Sequence, residues 1–358
     1  MTFRERLVDT LLGKPVDRAP FPDWLGFSPW GQTLDRWRTE SGIADLSVPR
    51  YFGLDPGFVV PKLEMGPLPH FEERVVSEDP EFITAIDYRG ILRRDRRDGA
   101  SMPEWIGHPV KGPEDWARYK AERLQGPGTR VPDLTAFRCA AERDGACVQL
   151  GEFPWGVFGT LRDIVGAEEC LLAFYDYPEM VQDIIDTNVQ LWLRVYEEAV
   201  GQIRVDHIHI WEDMSGRQGS LISMEMLERF MMPSYDRIVA FARSHGIPLV
   251  SVDTDGQVAE LVPAMMRHGI NVFMPFEVQA GNDVLRYRGL YPGLGIMGGL
   301  DKSALAKGKA EIHRELDRAE KMLARGGWVP GFDHLIPPDV PWASFEYAVK
   351  ELRRLVFG

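Results

Sequence analysis

The sequence predicts an α/β protein, a single-domain (β/α)8 TIM barrel with an insertion after its second strand. Short apolar runs alternate with longer amphipathic segments along most of the chain, which is typical of parallel strands joined by helices. The 358 residues, of which 44% are hydrophobic, also suit one large core. A doubly wound open sheet is the alternative, because a strand count from one sequence carries an error of about one or two strands.

Eight apolar runs are predicted to form the strands. The second run is the least regular, and the last five lie in the second half of the chain, where amphipathic segments follow most of them. The runs cover residues 19–24, 56–61, 147–153, 205–211, 247–253, 271–277, 294–301 and 326–333.

Amphipathic segments between and after these runs are predicted to be helices. The segments over 223–246 and 257–269 each reach a glycine, the residue that most readily adopts the left-handed conformation after a helix. The predicted helices lie near 159–175, 178–202, 223–246, 257–269, the short segment NDVLRYRG, 309–325 and 342–356.

Residues 66–135 break this alternation. Their first part reads as charged, extended hairpins, and the part SMPEWIGHPVKGPEDWARY is rich in proline and aromatic residues. The segment has no clear apolar core of its own. We therefore predict an insertion that packs as a lid over one barrel mouth, within a single domain spanning 1–358.

Composition limits the class of partner and the compartment. The formal net charge of −13 argues against nucleic acid or an anionic membrane as the main partner. No apolar stretch approaches the roughly 18 residues of a membrane-spanning helix. Three cysteines without CxxC spacing suit a reducing compartment. We expect a cytoplasmic protein that binds a small molecule.

Acidic residues follow nearly every predicted strand. Because the carboxyl ends of the strands of a barrel meet at one face, these side chains are expected to form a ring around one mouth. The pair Asp253 and Asp255 stands out, since two like charges so close raise each other's cost of ionisation. The acids at the strand ends are Asp23, Glu152, Glu212, Asp213, Asp253, Asp255, Glu277, Asp301 and Asp333.

Helix capping is the alternative explanation, because a carboxylate can accept hydrogen bonds from the first N–H groups of the next helix. We interpret Asp301 as such a cap and Asp253 as a functional residue. For Asp255, capping and ligand binding stay equally open.

Histidines and aromatic residues add to the predicted site. His334 follows the last strand directly, and its imidazole suits proton transfer or binding of an anion, whereas His207 and His209 read as core histidines. Trp155, Trp211 and Phe276 lie near the same strand ends. They either line a pocket for a planar ligand or pack in the core.

Several segments, in this order, resemble the uroporphyrinogen decarboxylase superfamily. They are RERLVDTLLGKPVDRAPF, IHIWEDMSGRQGSLISMEMLERFMMPSY, HGIPLVSVDTDG, GIMGGLD and GGWVPGFDHLIPPDVPW. The resemblance implies a (β/α)8 barrel with its site at the carboxyl-terminal mouth. It also implies one of two chemistries, decarboxylation of porphyrinogen acetate arms or methyl transfer between a corrinoid and an acceptor.

The chain departs from the decarboxylase pattern. The arginine-rich segment after strand one is replaced by DWLGFSPWGQ, and the first arginine beyond it is Arg36. Guanidinium groups supply the bidentate pairing that a carboxylate-rich substrate needs. By resemblance, the decarboxylase aspartate falls one position from Asp55, its tyrosine near Thr160, its serine on Asp213, and its final histidine on His334.

The thiol methyltransferase pattern is also altered. Its zinc-binding HxC motif aligns with Asp253-Thr254-Asp255, and Phe332 or Asp333 stands where its second cysteine lies. A thiolate zinc site is therefore not expected, and no metal ligands are predicted.

The function predicted is a corrinoid-linked methyltransferase with a pterin or amine acceptor, because carboxylates can accept hydrogen bonds from the N–H groups of such a ring. The expected ligands are methylcobalamin and tetrahydrofolate, with a corrinoid carrier protein as partner and a homodimer as assembly. The predicted catalytic residues are Asp213, Asp253, His334 and Asp55. The predicted substrate-binding residues are Asp255, Glu212, Glu152, Trp155, Glu277 and Asp333.

Two alternatives stay open. One is a decarboxylase for another acidic substrate, with Asp55 and His334 handling the proton. The other is a non-catalytic barrel that binds a tetrapyrrole or a folate.

Overall fold

The structure is a computed structural model, and it describes residues 1–99, 101–125 and 128–358. Its strands are short, and the longest contain five residues. They are β1 (Phe58–Val59), β2 (Arg74–Glu78), β3 (Phe82–Ile86), β4 (Leu92–Arg96), β5 (Glu104–Gly107), β6 (Cys147–Leu150), β7 (His207–Trp211), β8 (Ser215–Gly216), β9 (Gly219–Ser220), β10 (Leu249–Asp253), β11 (Val272–Met274), β12 (Gly295–Met297) and β13 (Trp328–Val329).

Helices connect the strands of the central sheet. They are α1 (Phe3–Leu11), α2 (Gly31–Ser41), α3 (Val48–Phe52), α4 (Pro113–Tyr119), α5 (Thr135–Asp144), α6 (Val157–Val165), α7 (Ala167–Asp176), α8 (Pro178–Val200), α9 (Met224–Met226), α10 (Met232–Ser244), α11 (Leu261–Arg267), α12 (Val284–Leu290), α13 (Ala304–Lys307), α14 (Lys309–Arg325) and α15 (Trp342–Phe357). Short 3-10 turns lie at Leu25–Phe27 and Val278–Ala280, and π-helical turns at Lys120–Leu124 and Leu227–Met231.

The central sheet has seven parallel strands in the order β1-β6-β7-β10-β11-β12-β13. This order follows the chain without reversal, whereas a doubly wound sheet reverses its strand order. The α/β class is therefore confirmed, and the curled parallel sheet is consistent with a TIM-like barrel.

The predicted first strand, 19–24, is not a regular strand. Its prolines lack the N–H groups that a strand inside a sheet needs to donate. The segment instead makes a single bridge from Pro22 to Asp55. Farther on, the Phe332 amide donates to the Gly26 carbonyl at 3.0 Å, and the Ile336 amide to the Ser28 carbonyl at 2.9 Å. The segment thus links the two edges of the sheet by isolated bonds.

The later helices agree with the sequence prediction. The predicted helix over 309–325 is α14, and the one over 342–356 is α15 with one further residue. The segment predicted as one helix over 159–175 is divided into α6 and α7. Gly166, with φ of 111°, ends α6, because this backbone conformation cannot continue a right-handed helix.

The insertion after β1 carries a small antiparallel sheet, in the order β2-β3-β4-β5. It is joined to the outer helices of the barrel. Arg89 forms ion pairs with Asp87 and with Asp163 of α6. Lys120 pairs with Asp183 of α8 at 2.7 Å. These contacts fix the base of the insertion, and its role as a lid over the mouth stays a prediction.

Side chains alternate along the central strands. Along β7, the buried histidines His207 and His209 alternate with the buried isoleucines Ile208 and Ile210. Successive side chains of a strand point to opposite sides, so the isoleucines face the helices and the histidines face the barrel interior. Within the described residues, none of the helices combines the length and the apolar character needed to cross a membrane.

Candidate active site

The strand ends of β7 and β10 are tied together by backbone hydrogen bonds. The amides of Glu212 and Asp213 both donate to the Asp253 carbonyl, at 2.8 and 3.3 Å. Asp213 adopts a positive φ of 44°, a conformation that aspartate tolerates better than most residues. This sharp turn places the charge of Asp213 near Asp253, and the catalytic roles of both residues stay predictions.

Asp253 is the most perturbed of these acids. Burial raises the pKa of its carboxyl group well above the ordinary value, and the charges of Asp255 and Asp213 raise it further. Its Oδ2 lies 3.7 Å from Nε2 of His209, which is beyond hydrogen-bond length. The protonated form of the Asp253 carboxyl group is therefore favoured over the carboxylate, relative to an ordinary aspartate.

Asp255 and His334 form the second part of the site. Nε2 of His334 lies 3.5 Å from Oδ2 of Asp255. Burial, followed by the charge of Glu277, raises the pKa of Asp255 to about 7, although Lys302 opposes the shift. Burial and the charge of Lys302 lower the pKa of His334. This pair can therefore exchange a proton near neutral pH.

A cavity of about 290 Å³ opens beside this pair. Asp255, Gly256, Glu277 and Arg217 are among the residues that line it. Glu277 accepts from the Gly256 amide at 3.0 Å and from Lys302 Nζ at 3.3 Å. The cavity thus joins a titratable carboxyl group, a carboxylate held by Lys302, and an exposed guanidinium at its rim.

Glu212 does not face this cavity. Its side chain is fully buried, and it accepts from the amides of Val157, Phe158 and Gly159 at 2.6 to 3.1 Å and from the Tyr235 hydroxyl at 2.8 Å. Burial raises its pKa to about 7, and these four donors oppose the shift. Both oxygens are occupied, so Glu212 anchors the start of α6, which argues against the direct substrate contact predicted for it.

Asp333 has a similar structural position. It is fully buried, and its oxygens accept from the amides of Val278 and Lys302 at 2.8 and 3.0 Å. Burial raises its pKa to about 6, against the charge of Lys302. Asp333 therefore holds the loops after β11 and β12 in place, and its predicted contact with substrate is not favoured.

Three other predicted residues have different surroundings. Asp55 precedes β1, on the amino-terminal side of that strand, and Arg18 donates to both of its oxygens at 2.7 Å. Glu152 is exposed. The Trp155 ring packs so closely on Gly66 that a Cβ there would lie 2.2 Å from it. Of the three, Asp55 thus lies at the opposite end of the sheet from the central acids, whereas the Trp155 carbonyl accepts from the Trp211 amide at 3.1 Å, beside the carboxyl end of β7.

The two other aromatic residues differ from each other. Phe276 is 1% exposed and packs against Tyr287, with ring centroids 5.1 Å apart, which favours the core interpretation. Trp211 is partly exposed, and the guanidinium of Arg162 lies 5.1 Å from its ring centroid.

Comparison with known proteins identifies the family. The family model described as uroporphyrinogen decarboxylase (URO-D) matches residues 99–355. The chain belongs to this family. Solved structures also match, among them a methyltransferase from Methanosarcina mazei with a TM-score of 0.59 and 16% sequence identity, covering 99% of both chains. That likeness shows a common fold. A search of curated proteins returned no match.

Three cationic side chains lie at the mouth of this member of the uroporphyrinogen decarboxylase family. None of the three was predicted from the sequence. Arg162 of α6 pairs with Asp213 at 2.7 Å, Lys302 pairs with Glu277, and Arg217 lies at the turn between β8 and β9. Each comes from a helix or loop rather than from a strand end. The turn signal SGRQGS could have pointed to Arg217.

Within residues 1–99, 101–125 and 128–358, no group of three or more His, Cys, Asp or Glu side chains is placed to hold a metal ion. Several of the carboxyl groups, among them Glu277 and Asp333, accept from backbone amides.

Proposed function

We propose that this family member is a corrinoid-linked methyltransferase whose acceptor is a pterin or an amine. The observation that carries the proposal is the position of Asp253, a largely buried acid with a raised pKa next to the Asp255–His334 pair. A neutral carboxyl group and a titrating pair suit a ligand that carries N–H groups and loses a proton when it is methylated.

The charges at the mouth support this ligand class. Arg162 and Lys302 are already paired with Asp213 and Glu277, so they offer little to a substrate with many carboxylates. Arg217 is exposed at the cavity rim. One exposed guanidinium suits a single anionic tail, such as the glutamate of tetrahydrofolate, better than a porphyrinogen.

The cavity also bears on how a corrinoid would be presented. About 290 Å³ lies near the lower end of small-molecule pockets, which span roughly 300–1,000 Å³. Such a space fits the acceptor ring and is too small for a whole corrinoid. We therefore expect the corrinoid to approach the mouth on a separate carrier protein, and when bound it supplies the methyl group.

Binding of the acceptor and removal of its proton are assigned to different side chains. Asp253 would accept a hydrogen bond from an acceptor N–H, and Asp255 would hold a second one. When the acceptor nitrogen gains the methyl group, its N–H proton passes to the Asp255 carboxylate and from there to His334, which returns it to solvent. Asp213 stays paired with Arg162, and Glu212 positions α6.

The test is an absorbance assay of methylcobalamin with the purified protein, with and without tetrahydrofolate. We expect acceptor-dependent loss of the methyl-corrinoid band, and Asp253→Ala should weaken acceptor affinity about tenfold, since one buried hydrogen bond contributes about 1 to 1.5 kcal/mol. Asp301→Asn is the matched control, because Asp301 accepts from the Ser303 amide as a local cap. No loss of the band beside an active control enzyme would contradict the proposal.

Arg217 allows a sharper version of this assay. Arg217→Gln should raise the KM for tetrahydrofolate and leave the KM for tetrahydropterin, which lacks the glutamate tail, within twofold. Equal effects on both acceptors would show that Arg217 does not recognise the tail.

A decarboxylase acting on a small acidic substrate is the second candidate, and Arg217 is the observation that favours it. Release of carbon dioxide from a porphyrinogen or a smaller polyacid, abolished by Arg217→Gln, would select this candidate. Tight binding of folate or tetrapyrrole without turnover would instead indicate a binding protein.

A further inference from the structure

We infer that His209 is a positioning residue that keeps Asp253 as a hydrogen-bond acceptor of defined orientation, and that a buried chain of side chains through the barrel interior sets the His209 tautomer. The inference deepens the proposed function, since it concerns how Asp253 receives the acceptor.

The chain crosses three neighbouring strands. Gln149 Oε1 of β6 lies 2.9 Å from Nδ1 of His207 on β7, and Nε2 of His207 lies 2.7 Å from the Ser251 hydroxyl on β10. The same hydroxyl lies 2.9 Å from Nδ1 of His209. Nε2 of His209 then faces Asp253. All four links before Asp253 are at most 8% exposed.

The first link has only one orientation. Nε2 of Gln149 donates to the Gly151 carbonyl at 2.8 Å. A flipped amide would place two carbonyl oxygens against each other, so Oε1 of Gln149 must face His207. Because this oxygen can only accept, Nδ1 of His207 carries its proton.

The second link follows from the first. Burial lowers the pKa of His207 well below the ordinary value, and the charge of His209 lowers it further. A neutral His207 with its proton on Nδ1 has a lone pair on Nε2, so the Ser251 hydroxyl donates to it. Ser251 has one proton, and its oxygen must therefore accept from Nδ1 of His209.

The last contact of the chain is between Nε2 of His209 and Asp253. Burial lowers the pKa of His209 to about 4, so this ring is neutral too, and its Nε2 carries a lone pair. A carboxylate facing that lone pair would be repelled. A protonated carboxyl group can turn its O–H toward Nε2 as the 3.7 Å gap closes on binding, a tightening common in ligand complexes.

The other oxygen of Asp253 then has a defined role. With the proton directed to His209, Oδ1 is a carbonyl oxygen that can only accept, so it selects acceptor groups with N–H donors. The charged neighbours of Asp253 reinforce this state. Asp255 lies just beyond the end of β10, and Asp213 follows β7, with Arg162 of α6 paired to Asp213. On the other side, β11 presents Met274.

The first test reads the tautomer directly, in wild-type protein without any ligand. Long-range proton–nitrogen correlation spectra of protein labelled with nitrogen-15 in its eight histidines distinguish protonated from unprotonated ring nitrogens. Spectra of His207→Gln and His209→Gln assign the two signals. We expect both rings to be neutral with the proton on Nδ1. A proton on Nε2 of His209 would overturn the inference.

The second test breaks the chain without touching Asp253. Ser251→Ala lets His209 move its proton to Nε2, from which it would donate to the Asp253 carboxylate. The midpoint of the Asp253 carboxyl titration, followed by carbon-13 NMR and assigned with Asp253→Asn, should fall by about one pH unit. An unchanged midpoint in folded Ser251→Ala would contradict the inference.

The matched control is Ser234→Ala. Ser234 is a fully buried serine on α10, and its hydroxyl has no hydrogen-bond partner among the residues described. The same chemical change there should leave the Asp253 midpoint unaltered. If Ser251→Ala fails to fold, the wild-type tautomer measurement decides alone. Neither experiment needs a methyl donor, so failure of the methyltransferase assay and failure of this inference remain distinguishable.

Discussion

Carboxylates at the two ends of the barrel have opposite surroundings. On the amino-terminal side of β1, the Asp55 carboxylate accepts hydrogen bonds from Nη1 and Nη2 of Arg18 and from the Phe21 amide. Burial raises the pKa of Asp55, but these donors outweigh burial and lower it. At the carboxyl end, a histidine nitrogen lies 3.7 Å from Asp253 and another lies 3.5 Å from Asp255, and burial raises both pKa values.

The difference shows that burial alone does not decide the charge of an acid. Asp55 and Asp253 have the same side-chain exposure, 15%, yet their pKa values move in opposite directions. The donors and the charge of Arg18 lower the pKa of Asp55, whereas Asp253 has like charges, those of Asp255 and Asp213, as neighbours. A satisfied carboxylate stabilises the fold, whereas an unsatisfied one is stabilised by a proton or by a ligand.

Glu212 should give the largest effect, because it is an acid at the carboxyl end whose donors are all supplied by the protein. Glu212→Gln places an amide N–H against those donors. We expect a loss of about 3 kcal/mol in the free energy of unfolding, measured by urea denaturation. Glu152→Gln, at an exposed position, is the control and should change stability by less than about 0.5 kcal/mol. A small loss for Glu212→Gln would remove the distinction between satisfied and unsatisfied acids.

Asp55 should give an intermediate effect with a definite pH dependence. Its lowered pKa means that the unfolded state binds the proton more readily, so its stabilisation is present above about pH 4 and is lost as the pH falls further. Asp55→Asn should cost about 2 kcal/mol at pH 7 and much less at pH 3. Asp9→Asn, which removes an exposed pair with Lys14, should cost under about 0.5 kcal/mol. A difference that persists at pH 3 would contradict the ion pair as its cause.

Substitution of Asp255 should change the free energy of unfolding least, and the change should be stabilising rather than destabilising. With its pKa raised to about 7, the folded state binds the proton more readily, so wild-type stability should fall as the pH rises from about 4 to 7. Asp255→Asn should therefore stabilise the protein at pH 8 and not at pH 4. Because the side chain is 37% exposed, solvent screening limits the gain to about 1 kcal/mol. Thermal unfolding at the two pH values measures it, and an equal gain at both would refute the raised pKa.

Much of the fold was predictable because the periodic pattern of apolar residues in a strand or a helix is a local property of the sequence. The runs that became β6, β7, β10, β11, β12 and β13 were read from apolar residues, and α14 was predicted to the residue. The run 19–24 was wrong as a strand, because Pro20 and Pro22 satisfied its apolar pattern without supplying N–H donors. The division at Gly166 was missed, since a glycine is compatible with a helix until neighbouring elements impose its φ.

The candidate site was predictable in part. Parallel strands must end on one face, so Asp213, Asp253, Asp255 and His334 were predicted from the sequence to lie at one mouth. His207 and His209 were interpreted as core histidines, and both are buried, but the approach of His209 to Asp253 was not anticipated. Arg162, Lys302 and Arg217 were not predicted, because helix and loop residues reach the mouth through packing; among the three, a local signal existed for Arg217, in the turn SGRQGS.

The sequence by itself determined that acids would end the strands of a parallel α/β protein, because strand periodicity and residue type are properties of the chain. Only the tertiary structure decided which of them are satisfied. Glu212 meets the first turn of α6, Asp333 meets two loop amides, and Asp253 lies 3.7 Å from a histidine nitrogen. The donors come from segments distant in sequence, and the protonation of a carboxyl group depends on the donors that reach it in space.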